Sequence, residues 1–292
     1  MPELPEVESV RLGLERYLPG AKIVTVSNRH PRALAVDSLA PLDMLKGLTI
    51  KNVLRRGKYL WITFRNEEHV LIAHLGMSGQ FRVFEKMSEI RAPFHPHVRV
   101  SLTLRKGRKD VRVDFLDQRT FGWMRIDIVE RSGRASGSVR AIPRSIRHVA
   151  PDPFEEEFDS AAVIARLQGK RTEIKRAILD QETMSGVGNI YADEALWRAK
   201  IHPQRQSKSL TEKELKRLIA AIRSVMESAM KSGGTSFDHL YVNVNGESGY
   251  FSTRLAVYGR EGERCRRCAG EIRRIIFTNR SSHFCPQCQL EP

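Results

Sequence analysis

The chain opens Met1-Pro2-Glu3-Leu4-Pro5-Glu6-Val7-Glu8-Ser9-Val10-Arg11-Leu12-Gly13-Leu14, and two readings start from this stretch. The first is structural. Val7, Val10, Leu14 and Leu18 recur at steps of three and four, one face of a helix over 6–18. Pro19-Gly20 ends it. The second is chemical. A small residue after the initiator Met favours removal of that Met, which leaves Pro2 as the N-terminus with a secondary amine. Attack of this amine on an aldehyde carbon gives an iminium that is already charged and serves as an electron sink. Glu3, Glu6 and Glu8 crowd the amine and are placed to protonate a leaving oxygen or hold a water. The alternative is an ordinary N-terminus whose prolines only delay the helix.

Downstream, strand-like runs occupy 23–26, 48–54, 59–64, 70–75, 98–104, 111–115 and 123–128. Val98, Val100, Leu102 and Leu104 alternate strictly with polar residues, as in a strand with one wet face. The first half is therefore mostly β. Residues 131–150 begin Arg131-Ser132-Gly133-Arg134-Ala135-Ser136-Gly137-Ser138, a small, polar, basic stretch read as a connection between domains. After Pro151-Asp152-Pro153 the pattern is helical. Asp159 or Ser160 can cap one helix and Thr172 another, and a third follows Asn189. Thr211-x-x-Glu214 has capping-box spacing and opens a long helix with Leu215, Leu218, Ile219, Ile222, Val225, Met226 and Ala229 on one face, ended by Gly233-Gly234.

At 292 residues the chain is long enough for two domains with separate cores. Lys and Arg number 49 against 34 Asp and Glu, a net +15 that favours a polyanionic partner. No apolar run is long enough to span a bilayer, and the acidic N-terminus is the reverse of a secretory signal. A cytoplasmic, reducing location is expected. All four cysteines fall in Cys265-x2-Cys268-x16-Cys285-x2-Cys288. That spacing suits a zinc ion closed by four thiolates, with each pair supplying one tight turn. Four sulfurs leave no position for water, so such a zinc is structural. Two disulfides or four idle thiols are disfavoured by the clustering and the reducing setting.

Pro2-Glu3-Leu4-Pro5-Glu6-Val7-Glu8 resembles the opening of the formamidopyrimidine-DNA glycosylases, which excise oxidised purines. The likeness recurs at Arg56-Gly57-Lys58-Tyr59-Leu60, His74-Leu75-Gly76-Met77-Ser78-Gly79, Asp117-Gln118-Arg119-Thr120-Phe121-Gly122 and Gly186-Val187-Gly188-Asn189-Ile190-Tyr191. It ends at Asn279-Arg280-Ser281-Ser282 before the second cysteine pair. The resemblance implies an α+β multidomain fold. Its parts would be an N-terminal two-layer β-sandwich with an N-terminal helix (2–130), a linker (131–150), a helix–two-turn–helix domain (151–256) and a zinc-bound β-hairpin finger (257–290).

By the same resemblance, Pro2 attacks the anomeric carbon, displaces the damaged base and drives elimination of both phosphates. Glu3 would protonate the sugar ring oxygen, and Glu6 would position a water or the amine. Lys58 would hold a phosphate or donate a proton in elimination. A base in a duplex must be extruded first. Met77, Arg119 and Phe121 resemble the family's void-filling residues, with Met77 an apolar wedge. Many relatives carry a second Arg where Thr120 stands. His95, Lys170, Lys175 and Asn189 read as phosphate contacts, Asn189 because a helix N-terminus favours an anion; Lys175 could equally approach the flipped base. Arg280 resembles the fingertip arginine that assists the second elimination. The polar loop 241–250 is expected to cover the extruded base. The expected partner is double-stranded DNA bound by a monomer, with no membrane and one structural zinc. Two rivals remain open. One prefers oxidised pyrimidines, against which Leu4 and the Arg119–Phe121 pair argue. The other is a zinc-bearing DNA-binding protein without catalysis.

Overall fold

The computed structural model describes residues 2–130, 142–233 and 254–291. Contacts divide the chain into two compact units. Pro2 and Glu6–His148 belong to the first; Glu3–Pro5 and the described parts of Val149–Thr235 and Tyr250–Pro292 belong to the second. The first helix, α1 (Leu4–Glu15), therefore begins in one unit and continues into the other. Among the described residues, no helix is long and apolar enough to cross a membrane.

In the first unit, β1 (Lys22–Asn28), β2 (Ile50–Arg56), β3 (Tyr59–Phe64), β4 (His69–His74) and β5 (Gln80–Phe84) are followed by a short helix, α2 (Met87–Ile90). Then come β6 (Val98–Lys106), β7 (Lys109–Leu116), β8 (Trp123–Glu130) and β9 (Ile142–Pro143). They form a four-stranded sheet in the order β1-β6-β7-β5 and a five-stranded sheet in the order β2-β3-β4-β8-β9, antiparallel throughout. The alternation along β6 does what a period of two requires. Val100, Leu102 and Leu104 enter one apolar core with Leu60 and Ile62 of the other sheet and with Val7, Val10 and Leu14 of α1. Burying large aliphatic side chains of this kind contributes about 1.5–3 kcal/mol each. Glu8 anchors α1 to β2, because Arg55 Nε donates to its Oε2 at 2.8 Å and Arg11 Nη2 to its Oε1 at 2.8 Å. These guanidiniums outweigh the burial that opposes ionisation and hold the Glu8 carboxyl below its ordinary range.

The expected linker is partly built into this unit. β9 pairs with β8, Ser145 N donates to Asp127 Oδ2 at 2.9 Å, and Ile146 is buried. Residues 131–141 lie outside the described residues, as does the loop 241–250.

The second unit contains α3 (Ser160–Gly169), α4 (Ile174–Leu179), α5 (Asn189–Ala199), α6 (Glu212–Lys231) and the hairpin β10 (Arg273–Phe277) and β11 (Arg280–Phe284). Asp159 caps α3, accepting from Ala161 N and Ala162 N. Thr211 and Glu214 form the reciprocal capping box of α6. Thr172 is not a cap: α4 starts after Glu173, without a side-chain cap bond. Two turns join α4 to α5, and here the N-terminal segment enters the core. Leu4 is fully buried among Met184, Val187, Tyr191 and Leu196, and its N–H donates to Gly186 O at 3.1 Å. A Cβ on Gly186 would lie 2.6 Å from Leu4 Cδ1, and its φ of +90° already favours glycine. Gly186→Ala is expected to destabilise the protein by about 1–3 kcal/mol, seen as a lower urea midpoint at unchanged m-value.

Candidate active site and nucleic-acid interface

Glu3 is buried, and its carboxylate accepts from three backbone donors around the start of α5. Gly188 N donates to Oε2 at 2.7 Å, Ile190 N to Oε1 at 2.9 Å and Tyr191 N to Oε2 at 3.4 Å. The helix N-terminus supplies unpaired N–H groups and a favourable dipole. Its anion is this carboxylate, from 185 residues earlier in the chain. A Cβ on Gly188 would sit 2.2 Å from Glu3 Cδ, so the second glycine of the Gly-x-Gly-Asn motif is a space requirement. Tyr258 stands in the field of Glu3 and Asp193; burial first, then these carboxylates, push its hydroxyl pKa upward against the opposing Asn189 and Arg280.

In the first unit, Pro2 and Glu6 are buried. Lys58 sits at the tip of the β2–β3 hairpin, beside Gly57 at φ +54°. Cross-strand from Tyr59 lies His74, whose ring is 5.0 Å from Tyr59 and stacks on Trp123 at 5.6 Å. Gly76 N donates to His74 Nδ1 at 3.1 Å. Burial, and secondarily the Lys58 ammonium, lower the imidazole pKa to about 4. His74 is thus a neutral acceptor that starts the turn carrying Met77.

Met77 and Phe121 are both large apolar side chains exposed to solvent, at 48% and 54%. Their loops form one structure. A Cβ on Gly76 would meet the Phe121 backbone at 2.5 Å. Fully buried Asp117 joins them, accepting from Ser78 Oγ at 2.5 Å, Arg119 N at 3.1 Å and Gly122 N at 2.6 Å. Arg119 and His95 are exposed.

In the second unit, the four cysteine sulfurs lie within 4.8 Å of one another, with Cys265–Cys288 at 4.0 Å and Cys268–Cys285 at 3.4 Å. None is disulfide-bonded. A tetrahedral zinc with Zn–S of about 2.3 Å needs sulfurs roughly 3.8 Å apart, so the cluster fits the ion. Outer contacts orient it: Trp197 Nε1 and Arg267 N each reach Cys265 Sγ at 3.4 Å. Arg280 is exposed next to the β10–β11 turn.

Three family models match the chain: the formamidopyrimidine-DNA glycosylase N-terminal domain over 1–124, the formamidopyrimidine-DNA glycosylase H2TH domain over 149–240, and a zinc finger found in FPG and IleRS over 262–290. A formamidopyrimidine-DNA glycosylase of Mycobacterium avium is 49% identical, over 100% of this chain and 99% of the relative. The chain belongs to the formamidopyrimidine-DNA glycosylase family. Solved structures of similar shape include two complexes of Lactococcus lactis Fpg, each 32% identical over 99% of this chain and all of the other. One, of a mutant with DNA containing Fapy-dG, has a TM-score of 0.82; the other, with DNA containing an abasic site, has 0.81.

Within this family member, several residues expected at phosphates have other work. Lys175 is fully buried. Its Nζ lies 2.7 Å from Asp193 Oδ1 and donates to Ser282 Oγ at 2.8 Å and Ser281 O at 2.9 Å. Burial lowers its pKa, and Asp193 opposes that shift. These contacts tie it to the finger hairpin. Its position in a basic cluster gave no sign of this carboxylate partner on another helix. Asn189 Nδ2 donates to Ser281 O at 3.1 Å, and the anion place at its helix is taken by Glu3. Lys170 is paired with Asp180 at 2.7 Å but remains a third exposed.

Sequence reading missed Asp193 and Glu194. Asp193 also accepts from His283 N at 2.9 Å. Glu194 accepts from Ala256, Val257 and Tyr258 N, holding the turn ahead of the finger. The available signal was two adjacent carboxylates in the midst of apolar helix residues: Ile190, Tyr191, Ala192, Ala195 and Leu196.

Two outcomes follow from these contacts. Lys175→Met strands the Asp193 carboxylate and is expected to cost about 3–5 kcal/mol in chemical denaturation. A surface phosphate contact would instead leave stability unchanged and lower the salt slope of DNA binding by about 0.9. For His74 the folded pKa of about 4 lies below the ordinary 6.5, so the unfolded chain takes up the proton first. Stability is full above pH 6.5 and falls between pH 6.5 and 4, by up to about 3 kcal/mol. His74→Asn should flatten that part of the stability–pH curve.

Proposed function

We propose that this protein is a bifunctional DNA glycosylase and abasic-site lyase that removes oxidised purines, 8-oxoguanine and formamidopyrimidines, from duplex DNA. It would act as a monomer carrying one structural zinc. The observation that carries the reading is the Glu3 carboxylate held by three backbone N–H groups, with Gly188 lacking a Cβ to make room for it. An ordinary N-terminus has no need of such a socket one residue after a secondary amine. The complexes of L. lactis Fpg with DNA containing Fapy-dG or an abasic site support the substrate class.

In the proposed reaction, the lone pair of the Pro2 nitrogen forms a bond to the anomeric carbon. The base departs with the electrons of the glycosidic bond. The Glu3 carboxylate takes the proton that the Pro2 nitrogen sheds and passes it to the ring oxygen as the sugar opens; the C–O bond electrons go to that oxygen, and the freed nitrogen lone pair forms the C=N bond of the iminium. Loss of a proton from the adjacent carbon lets the 3′ phosphate leave, and a second elimination expels the 5′ phosphate. Lys58 would supply a phosphate contact or a proton in these steps, and Glu6 would position the amine or a water. Arg280 would assist the second elimination from the fingertip. Zinc, when bound by Cys265, Cys268, Cys285 and Cys288, would hold the finger without taking part in the chemistry. Met77 and Phe121 would fill the space left by the extruded base and Arg119 would face its former partner, while His95 and Lys170 would grip the backbone.

Borohydride trapping on a duplex with 8-oxoguanine opposite cytosine tests the reading. A covalent adduct through Pro2 is expected, abolished or greatly reduced by Pro2→Gly or by retention of Met1. A protein that binds the duplex but leaves the lesion base in place and gives no adduct would be a DNA-binding protein without this catalysis.

A further inference from the structure

Arg99 is the residue skipped by the pairing of β6 with β7. The register passes from Val98↔Leu116 to Val100↔Phe115, leaving Arg99 as the extra residue of a β-bulge. Bulges re-aim a side chain out of the regular alternation. Here the guanidinium reaches the loop between β7 and β8. Nε donates to Thr120 Oγ1 at 3.0 Å, Nη1 to Pro96 O at 3.2 Å and Nη2 to Gln118 O at 3.4 Å. Thr120 has φ +53°, the left-handed region that a β-branched residue rarely occupies. It stands between Arg119 and Phe121, so its backbone conformation sets the direction of both exposed side chains. Asp117 ties the same loop from within through Arg119 N and Gly122 N, on either side of Thr120 and Phe121.

We propose that Arg99 is a positioning residue that holds Thr120 in its left-handed conformation and thereby presents Phe121 and Arg119 to the DNA. This rests on the reading that Phe121 enters the duplex. The bulge supplies the direction and the planar guanidinium supplies three donors at fixed angles. A lysine ammonium has no such fork with which to meet a hydroxyl and two carbonyls together.

The test measures single-turnover excision of 8-oxoguanine, cleavage of a preformed abasic site, and salt-dependent binding to undamaged duplex. Arg99→Ala and Arg99→Lys are both expected to slow excision roughly tenfold, equivalent to ~1.4 kcal/mol on the barrier. Abasic-site cleavage and the salt slope should stay close to those of the unaltered protein. In a protein already carrying Arg119→Ala and Phe121→Ala, adding Arg99→Ala should slow excision no further, because the three act as one unit. Thr120→Gly, which frees the backbone to take the left-handed conformation, should restore part of the excision lost in Arg99→Ala. Full activity in Arg99→Lys, with a salt slope reduced by about 0.9 in Arg99→Ala, would make Arg99 a phosphate contact and overturn the proposal. So would additive effects of Arg99→Ala on top of the combined Arg119→Ala and Phe121→Ala substitutions. If Phe121→Ala excises at the unaltered rate, the wedge reading itself fails and the proposal falls with it; additive effects beside a slow Phe121→Ala overturn the Arg99 role alone.

Discussion

A carboxylate buried at the start of α5 is the contact on which the proposed chemistry depends. Taking Glu3 out of water is costly unless its oxygens are fully partnered. Three backbone N–H groups and the positive end of the helix offset that cost. They also fix the carboxylate through backbone groups of the helix start. Because Glu3 and Leu4 are seated together, one in the helix N-terminus and the other in the apolar core, the backbone leading to Pro2 is fixed at residues 3 and 4. The proposed nucleophile lies on a chain terminus, ordinarily the loosest part of a protein, and directly precedes these two packed residues.

The same helix organises the rest of its unit. One residue beyond its first turn, Asp193 binds Lys175 and the His283 backbone, and Glu194 binds three consecutive N–H groups at 256–258. The finger hairpin is held at one end by this buried polar cluster and at the other by the four-cysteine centre, which is itself linked to α5 through Trp197. Buried charges of this kind add little net stability over apolar packing but penalise every arrangement that leaves one unpaired. In the β-rich unit the corresponding device is Asp117, which joins the Met77 and Phe121 loops by accepting from both.

Much of this was legible from residue order. The alternation of Val98, Val100, Leu102 and Leu104 named a strand and its buried face, and Thr211 with Glu214 named a helix start. The cysteine spacing named a cluster that the sulfurs form. Each of these rests on residues close enough in sequence for local geometry to set their relation. Thr172 failed as a cap because Ile174 N is already bonded to Arg205 O and Lys175 N to Pro203 O, pairing the chain there with a distant loop. Tertiary bonds had replaced the local one.

The sequence by itself determined the types of element, the metal-binding cluster and the family, since periodicity, turn residues and motif spacing are properties of neighbours along the chain. Only the tertiary structure decided which charge meets which. Glu3 sits at the helix N-terminus that begins at Asn189, Lys175 pairs with the buried Asp193, and Arg99 is turned by a bulge onto Thr120. Electrostatic and hydrogen-bond partners are chosen by distance in space. A fold that brings residue 3 to residue 188 makes pairings that no local pattern contains.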